Sequence, residues 1–231
     1  MPPRDFSNDD NAVVLMIRHE APLLVIGKTN NIEDYQKTTN KSTRYDILHH
    51  MTQTITTLLS VFTVLADATI VASLLVWLIN KLTGSSYGQN IVKRIQENHT
   101  ILLFIIPLIA TAGSLFYSEV AHYNPCRLCW FQRIFMYPQV FIAGTALVAK
   151  TRDLAAYIIP LSSAGAVIAA YHYVEQIKAT LAPLDPLIPC SLDGTSCAVK
   201  YTFHFGYITI PMMALSAFLL ILVIALVSRK K

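Results

Sequence analysis

The sequence predicts an all-α integral membrane protein: a four-helix transmembrane bundle preceded by one extra N-terminal transmembrane helix. Three observations support this prediction. The 231-residue chain is 54% hydrophobic and only 14% charged, whereas a soluble domain carries about 25% charged residues. Five apolar runs approach or exceed the roughly 20 residues that a helix needs to cross ~30 Å of hydrocarbon. These runs mostly lack the polar face that the surface helices of soluble proteins show.

The apolar runs divide the chain into three predicted parts. A polar tail occupies residues 1–53, the extra helix and a basic connection occupy residues 54–100, and the four-helix domain occupies residues 101–231. In chain order, the five runs are Ile55–Ile79, Ile101–Tyr117, Cys129–Val148, Leu154–Val174 and Tyr207–Val227.

The first run contains Asp67 close to its middle. An ionised carboxylate at the centre of a membrane helix costs about 2.5–3.5 kcal/mol on insertion scales. We therefore expect Asp67 to be protonated or to face the other helices. A polar packing residue is the simpler interpretation, and a proton relay is the alternative. The sequence does not indicate what the extra helix or the tail before it does.

Basic residues in the connections predict which helix ends are cytoplasmic. Lys150 and Arg152 lie between the third and fourth runs, and the chain ends in Arg229-Lys230-Lys231. Short loops rich in lysine and arginine stay in the cytoplasm. Because each helix crosses the membrane once, successive connections lie on opposite sides. Both cysteine pairs of the chain are then expected on the extracytoplasmic face of the cell membrane. The scattered basic residues form no patch of the kind that binds nucleic acid.

Two of the four cysteines lie at the start of the third run: Cys126 shortly before it and Cys129 as its first residue. Their spacing allows a small disulfide ring. At a helix N-terminus the macrodipole and the free backbone amides stabilise a thiolate, which is the nucleophile and leaving group of dithiol exchange. Arg133 follows Cys129 by four residues and shares its helix face. A guanidinium there either reaches the membrane interface or has a partner, and it could hydrogen-bond a carbonyl oxygen of a lipid-soluble quinone.

The other two cysteines, Cys190 and Cys197, lie in the long loop before the last run. An eight-residue disulfide ring would stabilise the fold by only ~2.5 kcal/mol on the chain-entropy model. A structural disulfide is possible, but a second dithiol on the same membrane face favours exchange. His172, at the outer end of the fourth run, could border the quinone pocket. The two cysteine pairs lie too far apart for a zinc ribbon, whose pairs recur after roughly 15–20 residues, so no metal site is predicted.

These motifs resemble those of the DsbB family of disulfide bond formation proteins, and most of all its short-loop, BdbC-like branch. The segment Cys126-Arg-Leu-Cys-Trp-Phe-Gln-Arg133, followed by Tyr137-Pro138, resembles the family signature CxLCxxQR…YP. Residues 165–176 resemble the helix before the family's second dithiol, and residues 205–211 resemble the start of its last helix. The resemblance covers residues 101–227, so the extra helix has no counterpart in the four-helix pattern.

The resemblance implies a relay of electrons between thiols. The partner would be a thioredoxin-fold oxidase of the DsbA type, which the family keeps oxidised. Carried over by position, Cys190 would form the mixed disulfide with this partner and Cys197 would complete the pair. Cys126 would pass electrons onward, and Cys129 would face the quinone.

The resemblance also implies that Arg133 and His172 bind the quinone, either ubiquinone or menaquinone. The predicted function is a membrane thiol:quinone oxidoreductase that reoxidises an extracytoplasmic DsbA-like oxidase and so supports disulfide formation in exported proteins. A vitamin K epoxide reductase-like enzyme is an alternative, although in that family the loop pair precedes the CxxC pair. A membrane assembly protein with structural disulfides and a metal-handling protein that uses outer-face thiols are two further alternatives.

Overall fold

The computed structural model describes residues 32–84, 88–149, 153–181 and 196–229, with side chains from residue 46 onward. Apart from one isolated bridge between His204 and Ile208, the regular structure in these ranges is entirely helical. The prediction of an all-α fold is therefore confirmed. The helices are α1 (Ile32–Thr83), α2 (Gln89–Leu115), α3 (Arg127–Ala149), α4 (Leu154–Leu181) and α5 (Ile210–Arg229), and a π-helical turn (Phe116–Val120) extends α2.

Each predicted apolar run lies mostly within one helix, and the differences lie at the helix ends; the last run, for example, begins at Tyr207, three residues before α5. α1 begins at Ile32, within the predicted polar tail. α2 begins at Gln89, so Lys93 and Arg94 of the predicted basic connection belong to its first turns. Gly88 precedes α2 with a φ of 77°, a left-handed conformation that glycine adopts without steric cost. The described residues from Thr52 onward form one compact unit.

Four of the helical segments are long and apolar enough to cross a membrane. They are Asp46–Thr83, Gln89–Val120, Leu154–Leu181 and Ile210–Arg229. α3 is also long enough at 23 residues, but Gln132, Arg133 and Gln139 lower its mean hydropathy. Both glutamines are buried inside the protein rather than turned toward lipid. The protein is thus a multi-pass membrane protein with a four-helix bundle and one extra helix.

The bundle consists of α2, α3, α4 and α5, each of which packs against its neighbours to close a ring. Its core contains the fully buried side chains of Leu103, Ile158, Phe218 and Ile221. At Gly165 of α4, an added Cβ atom would lie only 2.3 Å from the ring of Phe218. This glycine lets α4 and α5 approach closely, which fixes how α4 is rotated about its own axis.

Within residues 52–231, α1 turns small polar side chains inward and large apolar ones outward. Thr56, Ser60 and Thr63 are buried, whereas Leu58 and Val61 are exposed. The three buried hydroxyls donate to the carbonyl groups one turn earlier, so none of these hydroxyls is left without an acceptor. In a bilayer, lipid accepts the apolar outer face, and small residues allow helices to approach each other. This arrangement is typical of a transmembrane helix.

Candidate active site

The CxxC pair lies at the start of α3, as the sequence predicts. Cys126 directly precedes the helix and Cys129 lies in its first turn, where the Trp130 backbone N–H donates to the Cys126 carbonyl oxygen at 3.2 Å. The two sulfur atoms are 3.3 Å apart, within hydrogen-bonding distance. A disulfide requires about 2.05 Å between the sulfurs, so this is the dithiol form. The pair is close enough to become a disulfide through small side-chain movements.

Cys126 is the more buried member of this pair, with 4% of its surface exposed. Its pKa is raised to about 12, first because the thiol hydrogen-bonds to Cys129 and second because burial disfavours the charged form. Removing the proton from Cys126 would break this hydrogen bond and leave a charge in a buried position. In the reduced pair, Cys126 therefore stays protonated at physiological pH.

The His172 imidazole joins the two cysteine-bearing segments. It is 2% exposed, and its Nε2 lies 3.6 Å from Cys126 Sγ and 3.1 Å from the Cys197 carbonyl oxygen. Its Nδ1 lies 3.1 Å from Gln132 Nε2. Because an amide nitrogen can only donate, Nδ1 is the acceptor and the proton is on Nε2. The Nε2–H is thus directed at the Cys197 carbonyl group and the Cys126 sulfur.

The segment that begins at Ser196 is held against the start of α3 by further polar and aromatic contacts. Gln176 of α4 donates to the Val199 carbonyl oxygen at 3.0 Å. The Tyr201 hydroxyl donates to the Asn124 carbonyl oxygen at 3.2 Å, and its ring stacks on Tyr123 at 4.6 Å between centroids. These contacts keep Cys197 next to Cys126. Cys190, the other predicted cysteine of the loop, lies outside the described residues.

Cys126, His172 and Cys197 place their sulfur and nitrogen atoms within 4.8 Å of one another, and all three are buried. Two thiols and an imidazole can bind zinc or copper. The same closeness also suits thiol–disulfide exchange, which needs one sulfur within reach of another.

A cavity of about 500 Å³ lies on the other side of Cys129. α1, α2, α3 and α5 line it, and Arg133 lines it from α3. The Arg133 Nε donates to Ser114 Oγ at 3.0 Å, and its Nη2 donates to the Ser114 carbonyl oxygen at 3.1 Å. Tyr137 donates to the same hydroxyl at 3.3 Å. Ser114 thus uses two of the five guanidinium N–H donors and fixes the plane of the group.

The structure separates two residues for which the sequence predicts a common pocket. Arg133 lines the large cavity, whereas His172 lines a smaller cavity with Cys126 and Cys197. Cys129 lines both cavities. The His172 imidazole on α4 lies beside the thiols, where Gln132 of α3 contacts it, and its part in quinone binding stays a prediction.

Sequence reasoning did not assign roles to Ser114, Gln132, Gln176 and Tyr201. Buried amides in apolar helices are a signal that could have identified the two glutamines. Gln176 also follows His172 by four residues and shares its helix face. Ser114 and Tyr201 have no such signal, because their partners come from other parts of the chain.

Comparisons with known proteins match the part of the chain that contains this site. A family model described as disulfide bond formation protein DsbB matches residues 96–228. Disulfide bond formation protein C of Bacillus subtilis is 38% identical over 130 residues, which are 55% of this chain and 91% of the relative. A probable disulfide formation protein of Oceanobacillus iheyensis is 42% identical over 130 residues, covering 56% and 88% of the two chains. No solved structure matches.

Proposed function

This chain belongs to the family of disulfide bond formation protein DsbB, and from that premise we propose how its residues move electrons. The enzyme is a membrane oxidoreductase that generates disulfides. In our proposal it reoxidises a DsbA-like dithiol oxidase on the extracytoplasmic face and delivers the electrons to a quinone in the membrane. The quinone, the partner, the membrane face and the residue roles are parts of this proposal.

One observation carries the proposal: Cys129 lines both cavities. On one side it meets Cys126 and, beyond it, Cys197. On the other side it faces the large cavity that contains Arg133. A cysteine in this position can receive electrons from thiols and pass them to a ligand that never contacts the loop cysteines.

The dimensions and chemistry of the large cavity fit a quinone with a long hydrocarbon tail. The cavity-lining residues on α2 and its π-helical turn run from Ile95 to Tyr117, a helical length of roughly 33 Å at 1.5 Å per residue. That length is comparable to the ~30 Å thickness of the hydrocarbon core. The remaining N–H donors of Arg133 provide the polar end at which a quinone carbonyl oxygen would bind. When bound, the quinone supplies the acceptor for two electrons and two protons.

The proposed exchange begins in the outer loop. The reduced partner attacks the Cys190–Cys197 disulfide and forms a mixed disulfide with Cys190, which releases Cys197 as a thiol. The partner's second thiol then breaks the mixed disulfide, so the partner leaves oxidised and the loop pair is reduced. Each exchange breaks one S–S bond and forms another, and no electrons are lost.

The reduced loop pair then acts on the CxxC disulfide. Cys197 attacks the Cys126 sulfur, which lies within reach of it, and Cys129 leaves as a thiolate at the helix N-terminus. Cys190 next attacks Cys197, re-forms the loop disulfide and releases Cys126 beside the Nε2–H of His172. The Cys126–Cys129 dithiol finally gives up two electrons and two protons and becomes a disulfide again.

The test uses the purified protein with a reduced thioredoxin-fold dithiol oxidase, assayed separately with ubiquinone and with menaquinone. We expect one quinone to be reduced for each partner disulfide formed. Cys129→Ser should abolish quinone reduction, while a protein without quinone should complete only a single round of partner oxidation. Partner oxidation without quinone consumption over many turnovers would overturn the proposal. Normal turnover in Cys129→Ser would do the same.

A further inference from the structure

Helix α1 lies outside residues 96–228, which match the family, yet it forms one side of the large cavity. Among its cavity-lining residues are Leu59, Phe62, Ala66, Thr69 and Ser73. These positions recur at intervals of three and four residues, so they share one helix face. The face points into the space beside Cys129 and Arg133, where the proposed function puts the quinone.

Asp67 links this face of α1 to α5 and to the segment just before it. The Tyr207 hydroxyl donates to Asp67 Oδ2 at 3.0 Å, and the Ser216 hydroxyl donates to Oδ1. Ser216 lines the cavity itself, as do Ala66 and Thr69 on either side of Asp67 along α1. The sequence-based expectation that Asp67 faces the other helices is thereby met. Its two hydroxyl donors reduce the cost of burying a carboxyl group in an apolar region.

A second contact brings α1 close to α2. A Cβ atom at Gly113 would lie 3.0 Å from Leu59 Cδ1, so the absence of a side chain there leaves room for Leu59. Both Leu59 and Gly113 line the cavity. Thus α1 is fixed at one point by apolar contact with α2 and at another by hydrogen bonds to Tyr207 and Ser216.

We propose that α1 is a fourth wall of the quinone cavity and that Asp67 is the positioning residue that holds this wall in place. The inference rests on the proposed function, since it concerns the same cavity. Its ligand is a quinone with an isoprenoid tail, because the α1 positions that line the cavity continue its apolar surface over several helical turns. The wall sets the affinity for the quinone without touching the thiols.

The first experiment compares quinone dependence with thiol exchange in Asp67→Ala. The KM for quinone should rise about tenfold, as expected when hydrogen bonds that position a binding surface are lost. The kcat at saturating quinone and the quinone-free, single-turnover exchange with the partner should stay within about twofold of the parent, because the hydrogen bonds of Asp67 go to Tyr207 and Ser216 and not to the cysteines. Asp67→Asn keeps an acceptor oxygen, so its KM for quinone should lie between those of the parent and of Asp67→Ala. Asp46→Asn, an exposed acid on the same helix, is the matched control and should have no effect.

A second experiment does not depend on the fate of Asp67 or on turnover. A photoreactive quinone analogue should label α1 between Leu59 and Ser73 as well as α2 and α3, and unlabelled quinone should compete for all three. Ala66→Phe, which fills the cavity from α1, should reduce labelling of α3 and raise the KM. Labelling confined to α2, α3 and α5, or an unchanged KM in both Asp67→Ala and Ala66→Phe, would overturn the role of α1.

The outcomes distinguish this inference from the proposed function. If the parent protein reduces quinone and Arg133→Lys weakens its quinone dependence, while the α1 variants behave as the parent does, only the role of α1 fails. If the parent shows no quinone-dependent turnover and no competed labelling, the proposed function itself fails.

Discussion

The sulfur of Cys126 lies 3.6 Å from Nε2 of His172, and the same nitrogen lies 3.1 Å from the carbonyl oxygen of Cys197. One imidazole therefore contacts both thiol-bearing segments at the point where exchange between them would occur. Gln132 fixes the tautomer, so that the proton on Nε2 is available to stabilise a thiolate on Cys126. From this position we predict that His172 assists thiol transfer between the two segments.

We expect His172→Ala to slow transfer from the loop pair to Cys126 and Cys129. A hydrogen bond to a charged group is worth about 1.5–3 kcal/mol, or roughly a ten- to more than a hundredfold change in rate. The KM for quinone should hardly change, because His172 lines only the smaller cavity. Single-turnover exchange and quinone titration measure the two effects, with His204→Ala as the control. A raised KM for quinone with normal thiol exchange would indicate instead that His172 borders the quinone pocket.

Arg133→Lys should weaken quinone binding while leaving thiol exchange intact. Lysine keeps the charge but loses the planar group that Ser114 holds through two donors. Losing one charge-assisted hydrogen bond predicts a roughly ten- to more than hundredfold weaker apparent quinone affinity. Quinone-titrated turnover and quinone-free exchange are measured on the same preparation. Equal damage to both steps would indicate misfolding, and unchanged quinone dependence would leave Arg133 with only a structural role.

Gly165→Ala should destabilise the bundle, because its Cβ would lie 2.3 Å from the Phe218 ring. Overpacking of this kind costs typically about 1–3 kcal/mol. The measurement is thermal unfolding of the detergent-solubilised protein. Adding Phe218→Leu to Gly165→Ala should restore part of the loss. Gly144→Ala is the control, since its Cβ would lie 3.3 Å from Phe104, and it should cost less. Equal stability of Gly165→Ala and the parent would contradict this close packing.

The rate at which Cys126 is alkylated in the reduced protein should depend on pH, and the hydrogen bond to Cys129 should set that dependence. Its pKa is about 12, mainly because of the hydrogen bond to Cys129, and only the thiolate reacts with alkylating reagents. Below that pH, alkylation of Cys126 should remain slow and rise with each increase in pH. Cys129→Ala removes the main cause, so the rise should shift to lower pH. Mass spectrometry of alkylated peptides gives the profile, and a profile that is the same in both proteins would contradict this cause.

The sequence by itself determined the helices and indicated the candidate redox residues. Apolar runs long enough to cross a bilayer must become helices there, because every backbone polar group has to be satisfied within the segment. The position of Cys129 at a helix start follows equally from local sequence, since Pro125 disfavours helix at the preceding residue and an apolar run begins just after Arg127. The CxLCxxQR…YP signature, together with residues 165–176 and 205–211, predicted the family to which the chain belongs.

Only the tertiary structure decided which way the side chains on these helices face. Soluble helices reveal their buried face by its apolar character, but membrane helices are apolar on all sides, so the sequence does not fix their rotation. The rotation of α4, fixed by the contact of Gly165 with Phe218, turns His172 toward the thiols. Asp67 likewise contacts Tyr207 and Ser216, which lie 140 and 149 residues further along the chain. Such contacts depend on how separate helices pack, and no local pattern in the sequence carries that information.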